Sequence, residues 1–189
     1  SCLPHSASAS VLNPFISKGI KVIDLSADFR LNDAAEYESW YKTKHPCPEY
    51  LSDAVYGLPE LHGDEITKSK LIASPGCYAT ASILALAPIV KYGAISGDII
   101  IDAKSGVSGA GRSASLKTHF SEVNENVTAY SVDGHRHLAE VNQELGLLSK
   151  FKNLKTTMLT HLIPITRGII VSCYANLEEK NTAVYAKEE

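Results

Sequence analysis

The chain has 189 residues, 44% hydrophobic and 21% charged, with a formal net charge of −3. That is a globular composition with apolar mass for one good core or two small ones, and nothing in the charge points to nucleic acid or an anionic membrane as partner. The longest apolar stretch, Tyr78 to Val90, is too short to span a bilayer and contains Pro88. Ser1 to His5 resembles neither a signal nor a transit peptide and lacks an initiator methionine, as a cut end would. Cys2, Cys47, Cys77 and Cys173 form no CxxC pair, so free thiols in a reducing compartment are expected.

In chain order, Lys21–Leu25 reads as a buried strand with a β-branched centre. Asn32-Asp33 can cap a helix carrying Tyr37, Trp40 and Tyr41 on one side, ending near His45-Pro46-Cys47-Pro48. The stretch from Val55 to Lys70 is mixed and turn-rich, and Leu71–Ala73 reads as the end of a short buried strand. Pro75-Gly76 breaks the chain before an alanine- and leucine-rich helix running to Tyr92 and stopped by Gly93. Ile99–Ile101, Val127–Val132, Thr156–Ile163 and Ile169–Leu177 read as strands, and His137–Ser149 as a helix. The predicted fold class is a partial α/β layer followed by an α+β domain, with the boundary close to Cys77: residues 1–76, then 77–189.

Cys77 falls in the first turn of the predicted helix. There, unpaired backbone N–H groups and the positive end of the macrodipole favour thiolate, the nucleophilic form. The alternative is a small buried hydrophobe. Three of only four arginines, Arg112, Arg136 and Arg167, sit in site-like segments, and their planar fork suits carboxylate or phosphate. Ser105–Arg112 holds three glycines and two serines in eight residues; it can offer N–H groups to an anion or be a plain tight turn. His135-Arg136-His137 is followed by Glu140, one turn on from His137 and placed to orient an imidazole beside a cysteine nucleophile. No further histidine or cysteine pair completes a zinc site, so no metal is expected. Together these groups suit an acyl group carrying a phosphate: thiolate attacks, phosphate leaves and a thioester remains. Residue types alone leave open whether hydrolysis or hydride delivery follows.

Ser74–Ala81, Ile23–Arg30, Asp102–Arg112 and His135–Glu140 resemble, in order, the motifs of the N-acetyl-gamma-glutamyl-phosphate reductase family of arginine biosynthesis. The resemblance implies an NADP-binding Rossmann-type domain, here partial, and a semialdehyde-dehydrogenase-like catalytic and dimerisation domain with a mainly antiparallel sheet. It implies NADPH-dependent reduction of an acyl phosphate to N-acetylglutamate semialdehyde, in the cytoplasm, by a homo-oligomer (dimer or tetramer). By the same resemblance Cys77 is the nucleophile, and His137 with His135 gives acid–base and substrate contacts. Arg112, Glu140, Arg167 and Ser108 hold substrate, while Ser105, Gly106 and Pro4 meet NADP. Ala79 and Ala139 stand where the family usually has proline, which softens the backbone but removes no functional group. Leu3-Pro4-His5 resembles the segment that follows the family's nucleotide-binding strands. A fragment lacking the glycine-rich dinucleotide loop and the C-terminal helix is therefore expected, and it should bind NADP poorly. The alternatives are an aminoadipyl-phosphate reductase of lysine biosynthesis, a cofactor-independent cysteine acyl hydrolase and a silent interaction domain.

Overall fold

The computed structural model describes residues 1–150 and 154–178, so residues 179–189 of the expected second domain lie outside the described residues. The chain divides into two compact units, Ser1–Gly76 and Cys77–Glu189.

In the first unit the order is α1 (Ser8–Ile16), β1 (Val22–Asp24), α2 (Ala34–Tyr41), β2 (Ala54–Tyr56), α3 (Pro59–Lys68) and β3 (Leu71–Ala73). The strands form a parallel sheet in the order β1-β3-β2, with Ile72 level with Ile23 and Val55. All three residues of the central strand are buried, as a parallel strand covered on both faces requires. Ala9 and Leu12 of α1 join Val22, Phe29, Leu51 and Leu71 in the core.

Two carboxylates tie α1 to the sheet. Asp28 accepts the Ser6 N–H at 2.7 Å and the Tyr37 hydroxyl at 2.8 Å on one oxygen, and the Ala9 N–H at 2.9 Å on the other. Asp24, fully buried, accepts the Ser8 and Ser26 hydroxyls at 2.6 and 2.5 Å. The Ile23–Arg30 motif therefore does structural work: Asp28 satisfies N–H groups at the start of a helix and Asp24 binds that helix's Ser8 hydroxyl.

Parts of the first unit depart from the pattern reading. The α2 helix begins as expected, with the Asp33 side chain accepting the Ala35 N–H. It ends at Lys42, in a left-handed conformation with φ 56°, before either proline is reached. The stretch expected to be turn-rich holds β2 and α3. Pro59 sits at the first helical position, where its missing N–H costs nothing, and non-helical dihedrals at His62 kink the helix.

The second unit runs α4 (Cys77–Tyr92), β4 (Ile95–Ser105), α5 (Phe120–Val123), β5 (Thr128–Tyr130), α6 (His137–Leu148), β6 (Lys155–Leu162) and β7 (Ile169–Leu177). Its sheet is mixed, in the order β5-β6-β4-β7. The central pair β4–β6 is parallel from Asp98–Lys155 to Ser105–Leu162, and the two outer pairings are antiparallel. The α4 helix ends in a Schellman motif: Gly93 has φ 71°, its N–H reaches Val90, and the Ala94 N–H reaches Ile89. Ile99, Ile101 and Ala103 of β4 are buried, as are Ile83, Leu86 and Val90 of α4 and Val141 and Leu145 of α6. Ala79 and Ala139 are also fully buried, so the two departures from the proline pattern lie in this core. On the opposite sheet face Ile100, Leu159, Ile170 and Tyr174 are exposed.

Candidate active site

Cys77 is the first residue of α4, and its side chain is exposed. It lines a cavity of about 350 Å³ together with His135, His137, Tyr78, Tyr130 and Ser105. Two histidines and the cysteine from separate elements thus face one space.

The imidazoles differ in what holds them. His135 is 9% exposed, and its Nδ1 accepts the His137 N–H at 3.1 Å. Burial, then the charges of His137 and Arg136, push its pKa down to about 4 against the pull of Glu140. A neutral ring that accepts at Nδ1 carries its proton on Nε2. The His137 ring meets His135 edge-on, centroids 4.6 Å apart, and its Nε2 lies 4.0 Å from a carboxylate oxygen of Glu140. Glu140 is 1% exposed and stands behind His137, one turn along α6.

Tyrosines complete the frame. The Tyr130 hydroxyl donates to the Tyr78 hydroxyl at 3.0 Å, which donates to the His161 carbonyl at 3.1 Å. Burial raises both phenol pKa values, so both stay neutral donors. The Tyr78 ring packs edge-on against His135 at 5.3 Å and against His137 at 6.2 Å. Pattern reading takes Tyr78 as an apolar helix position; only the hydroxyl, invisible to periodicity, marks it as a link between α4, β5 and β6.

The glycine-rich loop turns its amides inward. Gly106, Val107 and Ser108 donate to the carbonyls of Gly168, Ile165 and Thr166, and Gly109 and Gly111 donate within the loop. A Cβ on Gly106 would meet backbone of Ile165 and Arg167 at 2.9 Å, and one on Gly109 would strike the Ser105 hydroxyl. The glycines thus permit a close crossing of two loops, and these loop amides are already taken by backbone carbonyls.

Of the remaining expected residues, Ser108 and Arg112 line a neighbouring cavity with Thr166 and Ile165. Arg167 lines neither cavity. Pro4 lies in the first unit, its carbonyl accepting the N–H groups of Ala7 and Ser8. The cations on the Cys77 cavity are instead Arg136 and Lys117.

This architecture is that of the semialdehyde dehydrogenases. Aspartate semialdehyde dehydrogenase II from Vibrio cholerae superposes with a TM-score of 0.62 at 17% identity, over 90% of this chain and 53% of that one. The enzyme from Francisella tularensis gives 0.61 at 14% identity, over 100% and 62%. The model of the semialdehyde dehydrogenase NAD binding domain matches residues 1–69, and that of the semialdehyde dehydrogenase dimerisation domain matches residues 77–188. The chain belongs to the semialdehyde dehydrogenase family. Within it, N-acetyl-gamma-glutamyl-phosphate reductase of Clostridium novyi is 51% identical over 98% of this chain and 54% of its own length. The protein of that name from Dehalococcoides mccartyi is 48% identical, again over 98% and 54%. The chain spans about half the length of these curated relatives.

Proposed function

We propose that the protein acts as an N-acetyl-gamma-glutamyl-phosphate reductase, converting the acyl phosphate to N-acetylglutamate 5-semialdehyde through a thioester on Cys77, in the cytoplasm. The observation that carries this reading is the convergence of the Cys77 thiol, two imidazoles and two cations on one cavity with no carboxylate among the described residues of its lining, in a chain about half identical to relatives of that name.

The thiolate of Cys77 adds to the acyl carbon, the bond from that carbon to the phosphate oxygen breaks, and phosphate departs. His137 takes the thiol proton at Nε2, and the nearby Glu140 carboxylate favours the imidazolium that results. His135, fixed as the Nε2–H tautomer, donates to the carbonyl oxygen as negative charge builds there. The same His137 proton serves the carbonyl oxygen or the departing sulfur when the aldehyde is released.

A nicotinamide fits the residues present: Ser105, Gly109 and Ala110 line the cavity beside Cys77 without bulk, leaving room for a flat ring. With Gly106 they would hold the nicotinamide of NADPH, whose chemistry at this site would be delivery of a hydride to the thioester carbon; a contact of Pro4 with NADP is a separate proposal for the first unit. Substrate contacts from Arg112, Arg167 and Ser108 belong to the same proposal, as does the division of labour between residues 1–76 for cofactor and 77–189 for catalysis and dimerisation. The exposed face carrying Ile100, Ile170 and Tyr174 supports association with a second copy. Among the described residues no helix is long and apolar enough to cross a membrane.

The test is oxidation of NADPH on addition of the acyl phosphate, by wild type and by Cys77→Ser. Turnover that needs both Cys77 and NADPH supports the reading; turnover without nicotinamide, or unaffected by Cys77→Ser, overturns it.

A further inference from the structure

The cavity around Cys77 is cationic in a chain whose net charge is −3. Its lining holds Lys117 and Arg136 and, among the described residues, no acidic side chain. Arg136 stands between His135 and His137 in the chain, and its charge acts on His135 and on Tyr130. It therefore belongs to the reacting end of the cavity. Lys117 comes from elsewhere, a single 3-10 turn over Leu116–Thr118.

That turn is built firmly for its size. The Ser115 N–H donates to the Thr118 hydroxyl at 3.3 Å, and the two hydroxyls lie 3.0 Å apart. The Thr118 N–H and hydroxyl both reach the Ser115 carbonyl at 3.1 Å. Ser115 and Thr118 line the cavity themselves, so the reciprocal cap places Lys117 at its wall. Among the described residues no carboxylate pairs with the Lys117 ammonium. The nearby glycine loop supplies little alternative for an anion, since its amides from Gly106 to Gly109 already donate to backbone carbonyls.

We propose that Lys117 is a substrate-binding residue that pairs with the free carboxylate of the acyl phosphate, at the end distant from the carbonyl under attack. The choice of carboxylate over phosphate follows from the two positions: the departing phosphate lies at the reacting carbon, beside Arg136 and the histidines, which leaves Lys117 for the other charged end. The substrate's chemistry here rests on the reductase reading, whereas the electrostatic role of Lys117 toward Cys77 does not.

Two measurements on the purified protein keep these apart. The first compares alkylation of Cys77 by iodoacetate, an anion, with alkylation by neutral iodoacetamide. Lys117→Met should lower the ratio of the two rates roughly 3- to 5-fold at low salt, as loss of one partly solvated ion pair implies. Lys117→Arg should preserve the ratio, and Lys91→Met, which removes a lysine from the far end of α4, should leave it unchanged. A ratio unaltered by Lys117→Met, or lowered equally by Lys91→Met, overturns the proposal. The second uses the reverse reaction, in which aldehyde and inorganic phosphate are separate substrates. Lys117→Met should raise KM for the semialdehyde about 5-fold with little change in kcat, and leave KM for phosphate as it was. A rise confined to phosphate overturns the carboxylate assignment. A shifted alkylation ratio in a protein whose Cys77 takes up no acyl group from the acyl phosphate would sink the reductase reading and leave the placement of Lys117 standing.

Discussion

The backbone N–H of His137 donates to Nδ1 of His135 at 3.1 Å, so the first residue of α6 fixes the tautomer of the histidine two places before it. Burial and two neighbouring cationic groups hold that ring neutral down to about pH 4. In the unfolded chain the ring takes up a proton near its ordinary pKa of about 6.5. Between those values the unfolded state binds more protons, so the stability present above about pH 6.5 is lost as the pH falls toward 4. The loss is on the order of 3 kcal/mol at most. Urea unfolding near pH 7 and near pH 5 should show a smaller drop in His135→Gln than in wild type, and equal drops would contradict the burial of this ring.

Thiol labelling should separate the four cysteines by place. Cys2 and Cys77 are exposed, whereas Cys47 is buried and Cys173 partly so, and burial raises the pKa of both covered thiols. Limited iodoacetamide should modify Cys77 first, then Cys2, with Cys173 and Cys47 much later. His137→Ala should slow Cys77 and leave Cys2 alone, because His137 shares the Cys77 cavity and can take its proton. Peptide mass mapping reads the order directly; equal rates for Cys2 and Cys77 would count against the pairing.

Tyr78→Phe keeps the ring that packs on both histidines but removes the hydroxyl joining Tyr130 to the His161 carbonyl. Both partners are left without their bond, at a cost of about 1–3 kcal/mol. Adding Tyr130→Phe should cost less than its effect alone, since the pair shares one interaction. Denaturant midpoints of the two single variants and the double variant close the cycle, and strict additivity would mean the hydroxyls are uncoupled.

Gly106→Ala tests why that loop needs glycine. The new methyl would lie 2.9 Å from backbone atoms of Ile165 and Arg167, neither of which can swing aside as a side chain would. The crossing must open, costing about 1–3 kcal/mol, so the melting temperature should fall with no nicotinamide present. An unchanged melting temperature with weakened NADPH binding would instead mean that the glycine serves only ligand approach.

Legibility in the sequence followed from how local each cause was. The strand Ile169–Leu177 matches its expected bounds, and α6 and β6 agree within a residue, because long periodic runs carry their own signal. The α1 helix has Pro14 inside it and no side-chain cap, so neither period nor punctuation announces it. The β2–α3 stretch reads as turns because β2 is only three residues long and His62 interrupts the helix. At the cavity, thiol and imidazole are chemically rare and can be picked from a string, whereas Lys117 is one of many lysines until the fold sets it beside Cys77. The inward turn of the glycine loop depends on carbonyls of residues 165–168, far along the chain, and no local pattern encodes it.

The most direct test of the account is intact-protein and peptide mass spectrometry after brief exposure to N-acetyl-gamma-glutamyl phosphate without nicotinamide. One acyl group should appear on Cys77 and on no other residue. It should persist over the time of an assay, disappear on addition of NADPH with release of the aldehyde, and be absent from Cys77→Ser. Acylation of another residue, no acylation at all, or rapid loss of the acyl group to water without NADPH would contradict a reductase working through a Cys77 thioester.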